Sequence, residues 1–149
     1  MFEHILLPLD GSELAEQALP PALKLAERFD AQITLLRVIQ PPYVATHISG
    51  SAYGEVINSL RRIAYEEGMS YLKQQQAALK EQGCEVHLHM VEGDDVAGII
   101  LNLIGTLEID TVVMSTHGRG GISRWVYGSV ADKVLRAATV PILLIRAKA

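Results

Sequence analysis

Cysteine is nearly missing from this chain. One residue, Cys84, stands among 149, which excludes an internal disulfide framework and favours a reducing compartment. Its place beside Glu85, at the start of an apolar alternation, marks a structural thiol. Long apolar runs are missing too. The longest uncharged one, Val96 to Leu107, falls short of the ~20 residues that span a bilayer. The opening MFEHILLPLDGS lacks the basic region and the longer apolar core of a secretion signal, and Asp10 interrupts its run. There is no basic excess: 13 Lys and Arg against 17 Asp and Glu leave a net charge of −4, which argues against a nucleic-acid face. The expectation is a cytoplasmic protein with neither membrane nor nucleic acid as partner.

Several chemical signatures are also missing. There is no GxxxxGK[ST], so no lysine is built into a phosphate loop, and GRGGIS is not a dinucleotide GxGxxG. His87 and His89 share a strand face, as two metal ligands would. No Cys or further His lies at ligand spacing around them, and Glu92 is out of phase, so they are expected to be solvated histidines with no metal. No Ser, His and Asp set has interpretable spacing, because such sets are assembled by folding. Repeats and low-complexity tracts are absent.

What is present fits one compact domain spanning residues 1–149, with 49% hydrophobic and 20% charged residues. Ile5 to Leu9 is a continuous apolar run, the signature of a strand covered on both faces, with Pro8 near its end where no ladder donor is needed. Asp10, Gly11 and Ser12 turn the chain and cap a helix from Ser12 to Phe29, bent at Pro20 and Pro21. A second strand, Ile33 to Ile39, has Arg37 as its only charge. The stretch from Gln40 to Glu55 is a long loop, either a lid or a linker, in which Tyr43 or Tyr53 either stacks on a base or, as favoured, pins the loop to the body. Val56 to Gln82 forms a long helix with a partial stripe of Leu60, Ala64, Tyr71, Leu72 and Leu79, stopped at Gly83. Glu85 to Val91 alternates like an edge strand with a wet face. Asp94 or Asp95 caps a helix from Val96 to Leu107, and a buried strand follows at Thr111 to Met114. A helix from Ser129 and a strand from Ile142 to Ile145 complete five strands alternating with four helices. This is an α/β, doubly wound parallel sheet; the apolar first and fourth strands and the alternating third suit the order 3-2-1-4-5.

Candidate function concentrates in MSTHGRGGISRWVYGS, from Met114 to Ser129. A strand that empties into a glycine-rich loop and then a helix start holds anions, because glycine lets backbone N–H groups approach and the first helical N–H groups lack partners. Nine residues separate Gly118 from Gly128, and Ser129 adds a hydroxyl. The Ser129 hydroxyl and the N–H groups of Gly118, Ser129 and Val130 would cradle phosphate, with Arg119 as charge partner and His117 and Arg124 nearby. A helix N-terminus contributes roughly 0.3 to 2 kcal/mol toward an anion, against about 8 kcal/mol for micromolar affinity. The site therefore needs more than one helix end. In the order 3-2-1-4-5 the direction of winding reverses between strands one and four, whose ends are Asp10 and the loop from Ser115 to Gly118, and ligands bind at such a reversal. Asp10 either holds a ribose hydroxyl or holds a water on a divalent ion that bridges phosphates. Trp125 and Tyr127 are open between loop, core and subunit contact.

The spacing GxxxxxxxxxGS, the leading STHGRGG, the trailing SVADKVLRAATVPILLI and the opening HILLPLDGSELAEQAL together resemble the universal stress protein family over essentially the whole chain. Its nucleotide-binding branch carries GxxGxxxxxxxxxG followed by Ser or Thr; Gly118, Gly128 and Ser129 match, and Ser115 stands at the first glycine position. The resemblance implies bound ATP, with Mg²⁺ as a candidate bridging ion. It places adenine near Pro8, Leu9, Val38 and Met114, with the backbone of Val38 reading the base edge. It also implies a homodimer joined through the C-terminal strand, whose edge position leaves backbone groups open to pairing. The expected role is a regulatory or stress-response module that binds nucleotide with slow or no hydrolysis and reports to an unknown partner. The alternatives are the same fold acting without nucleotide, as an interaction or protective protein, and a slow ATPase.

Overall fold

Ten elements alternate along the chain in the computed structural model, which describes residues 1–42, 50–117 and 127–148. The strands are β1 (His4–Pro8), β2 (Gln32–Ile39), β3 (Val86–Glu92), β4 (Thr111–Ser115) and β5 (Ile142–Ile145). The helices are α1 (Glu13–Glu16), α2 (Leu19–Phe29), α3 (Ser51–Lys80), α4 (Val96–Thr106) and α5 (Ser129–Ala137). All strand pairs are parallel, in the order β3-β2-β1-β4-β5. The expected topology is therefore the observed one, with strand limits shifted by a residue or two.

The apolar runs of β1 and β4 are buried on both sides, as their sequences require. Ile5, Leu7, Ile33, Leu35 and Val113 pack with α1, α2 and the C-terminal half of α3. On the other face Leu6, Leu36, Val112 and Met114 pack with α4 and α5. Pro8 closes β1, paired with Leu36, where its missing donor costs the ladder nothing. β3 is an edge strand as expected, with Val86 buried and His87 and Glu92 exposed. Cys84 is half-buried and its thiol is pushed up, first by burial and then by Glu27 and Glu85.

Two expectations need correction. The segment from Ser12 to Phe29 is two helices, not one bent helix. Ser12 caps α1 through Ala15 N (3.1 Å), the chain breaks at Gln17 and Ala18, and α2 restarts with proline in its first turn. A proline there removes a donor that would have no helical partner anyway, whereas in a helix interior it breaks the ladder. The chain thus has five helices among the described residues. The second correction concerns α3, which starts at Ser51, five residues before the expected Val56, and so shortens the expected loop. At 1.5 Å per residue its 30 residues reach about 45 Å, whereas the seven residues of β3 cover about 23 Å. The helix outruns the sheet. Leu72 and Leu79 are buried, but Tyr53, Val56, Leu60 and Ile63 remain 38–48% exposed. Within the remainder of the expected loop, residues 43–49, with Tyr43, lie outside the described residues.

His4 generates a pH dependence. Its Nε2 lies 2.7 Å from the Thr34 hydroxyl, and burial, reinforced by His87, lowers its pKa. The folded chain then resists a proton that the unfolded chain accepts, so stability present above about pH 6.5 declines as pH falls through the folded-state value. Urea unfolding between pH 7.5 and 5.5 is expected to show this decline, and His4→Gln is expected to flatten it.

Candidate functional site

The carboxyl ends of β1 and β4 open a crevice of about 920 Å³ at the point where the winding reverses. Its β1 side begins with Leu9, whose N–H donates to Leu36 O at 2.8 Å and so carries the pairing one residue past the strand. Asp10 follows. Its Oδ1 accepts from Ser12 N at 2.9 Å and from Ser12 Oγ at 2.6 Å. The side-chain cap of α1 is thus Ser12, and Asp10 orients that cap from the crevice wall.

On the β4 side, Ser115 is the last strand residue, 6% exposed and paired with Ile145. It does not adopt positive φ, so its side chain strains no backbone turn where the family pattern has glycine. Thr116, 4% exposed, anchors the loop base. Its N–H donates to Ile145 O at 2.9 Å, its hydroxyl accepts from Ala147 N at 3.2 Å, and its carbonyl accepts from Gly128 N at 2.8 Å. The last bond brings both ends of the glycine-rich excursion to one point. His117 Nδ1 lies 3.0 Å from the Thr116 hydroxyl, and His117 N donates weakly to Ser115 Oγ at 3.4 Å.

At Gly128 the chain enters α5. The Gly128 carbonyl accepts from Asp132 N at 3.0 Å, and glycine provides no side-chain cap. The N–H groups of Ser129, Val130 and Ala131 therefore lack intrahelical partners and lie along the crevice, where the helix dipole favours negative charge. Helices α1 and α4 differ, since Ser12 and Asp95 fill their N-termini. Between the two polar ends runs an apolar slot of Pro8, Leu9, Val38, Met114, Val96 and Ile100.

The crevice thus collects ten of the expected residues: Pro8, Leu9, Asp10, Val38, Met114, Ser115, His117, Gly128, Ser129 and Val130. Gly118 and Arg119, with Arg124 and Trp125, lie outside the described residues, and Tyr127 joins the lining. Sequence reasoning missed the side formed by Arg37 of β2 with Glu67, Gly68 and Tyr71 of α3. The only signal for it was Arg37, the lone charge in β2. Tyr71 donates to Glu16 Oε1 at 2.9 Å, and burial together with that bond pushes its hydroxyl far above its ordinary value. Among the described residues no three His, Cys, Asp or Glu side chains group as a metal cage. A magnesium ion is commonly held by one or two carboxylates plus ligand phosphates, and Asp10 fits that mode.

Comparison with known proteins agrees with this fold. The model of the universal stress protein family matches residues 1–146. A universal stress protein of Methanocaldococcus jannaschii is 32% identical over 147 residues, covering 98% of this chain and 83% of its own length. The solved hypothetical protein MJ0577 superposes with a TM-score of 0.84 at 26% identity, covering 100% of this chain and 99% of its own. A universal stress protein from Archaeoglobus fulgidus, solved in complex with dAMP, shares the fold at a TM-score of 0.66 and 17% identity, covering 96% of this chain and 97% of its own.

The loop base itself is testable. A Cβ added at Gly128 would meet Thr116 O at 3.2 Å, and that carbonyl is fixed by the Gly128 N–H. Gly128→Ala is expected to cost about 1–3 kcal/mol in chemical denaturation.

Proposed function

We propose a nucleotide-binding role from one premise: the chain belongs to the universal stress protein family. In this reading the crevice between β1 and β4 holds an adenine nucleotide. The amides of Ser129 and Val130, the Ser129 hydroxyl and the amide of Gly118 receive phosphate oxygens, and Arg119 supplies charge. The apolar slot of Pro8, Leu9, Val38 and Met114 takes the base, with the Val38 backbone at its edge. Asp10 faces the ribose or a water on Mg²⁺ held by the phosphates. The observation that carries this reading is the uncapped N-terminus of α5, set across one crevice from an apolar slot. The dAMP in the archaeal protein of the same fold supports adenine as the base.

ATP is the proposed ligand and regulation in a stress response the proposed role, with hydrolysis slow or absent. Calorimetric titration of ATP and AMP is expected to give micromolar binding, with Gly118→Val at least tenfold weaker because a β-branched side chain blocks the amide's approach. Phosphate release with Mg²⁺ is expected to stay below about 1 per second, an ordinary enzyme rate. Absence of heat with both nucleotides, or an unchanged Gly118→Val, overturns the reading.

We further propose a homodimer through β5. Among the described strands it is an edge of the sheet, and Leu143 is 39% exposed there. An apolar edge with unpaired backbone groups invites a two-fold partner. Sedimentation at micromolar concentration is expected to give twice the chain mass, falling to the chain mass in Leu143→Asp.

A further inference from the structure

The α3 side of the crevice contains a charge that the nucleotide-binding motif does not account for. Among the described residues lining the crevice, Arg37 is the only lysine or arginine, while Asp10 and Glu67 are carboxylates. Its side chain reaches from β2 beneath the turn after β1. Nη1 donates to Leu9 O at 3.5 Å. The same nitrogen lies 3.4 Å from the position a Cβ would take on Gly11, whose φ is +83°. The guanidinium is thus bracketed by the two residues that flank Asp10. On the opposite side Gly68 of α3 is buried, and a Cβ there would stand 3.0 Å from Met90 Cε and 3.5 Å from Arg37 Cγ. The Arg37 side chain thus runs within van der Waals reach of Gly11 in the turn and of Gly68 on α3.

An anion entering this crevice meets the field of Asp10. A carboxylate beside a polyphosphate repels it, and partial burial screens that repulsion less than bulk water would. A guanidinium held against the residues that flank Asp10 offsets that repulsion, and it stays charged at every physiological pH. We infer that Arg37 is a positioning residue for the nucleotide: it neutralises Asp10 and fixes the turn from Leu9 to Gly11, so that the carboxylate can face a ribose hydroxyl while phosphates bind at α5. The inference rests on the nucleotide reading above and adds to it a residue outside the glycine motif.

A double-mutant cycle tests it. Calorimetry of ATP and of uncharged adenosine is run on wild type, Arg37→Lys, Arg37→Gln, Asp10→Asn and the Arg37→Gln/Asp10→Asn double variant, with thermal unfolding of each. Arg37→Gln is expected to weaken ATP about tenfold and adenosine less than threefold, and Arg37→Lys to stay within threefold of wild type for both. In the Asp10→Asn background the Arg37→Gln penalty on ATP is expected to fall below threefold. Should Arg37→Gln fail to fold, Arg37→Met, which keeps the stem packed on Gly68, takes its place. The inference is overturned if ATP affinity is unchanged by Arg37→Gln. It is equally overturned if ATP and adenosine weaken alike, as a purely structural strut would cause, or if the full ATP penalty persists beside Asp10→Asn. A wild-type protein that takes up neither ligand overturns the nucleotide reading itself and this inference with it.

Discussion

The reversal of winding at β1 governs the molecule. From β1 the chain crosses to β2 and β3 on one side, and β4 and β5 then fill the other side. Connections leaving β1 and β4 must therefore diverge, so no crossover lies over the gap between their carboxyl ends. The gap cannot close by sliding the strands, because Ile5, Leu6, Leu7, Val112 and Val113 are fully buried between two helical layers. A close-packed core transmits strain and does not absorb it. The crevice is a consequence of strand order, and its polar rim consists of whatever the chain places where each strand runs out.

That origin explains what could be read in advance. Strand order followed from three facts about residue pattern: two runs apolar on both faces, one alternating run, and crossovers that keep one hand. The rim followed because it consists of chain neighbours of strand ends, such as Asp10 and Ser115. The α3 wall did not follow. Arg37 meets Gly68 across 31 positions of sequence, and nothing local in an apolar strand says which helix its one charge approaches. The broken first helix was missed for a different reason. Pro20 and Pro21 are compatible with a kink or with a fresh start, and the choice depends on whether Ser12 closes a short turn first. The early start of α3 was hidden by Ser51 and Gly54, whose helix propensity is weak, and by apolar positions such as Tyr53 and Val56 that stay partly exposed.

The helix at the site also shows how a fold can leave donors open without losing the element. An N-cap side chain is worth about 0.5–2 kcal/mol, and α5 goes without one. Burial of Val134 alone returns about 1.5–3 kcal/mol, and Val134 is fully buried with Ala131 beside it. Lys133 bridges to Asp95 at 2.9 Å and ties α5 to α4, and Arg136 pairs with Asp132 within the helix. Both pairs are exposed and add little, so packing holds the helix. The Gly128 N–H then fixes its start to Thr116 at 2.8 Å. In the proposed role an anion supplies what a cap would have supplied: a bound phosphate completes α5 electrostatically, so that occupancy and local stability are linked through the mass-action term RT ln(1 + [L]/Kd). A partner that senses the firmness of α5 and the loop base at Thr116 would thereby sense nucleotide concentration without any hydrolysis.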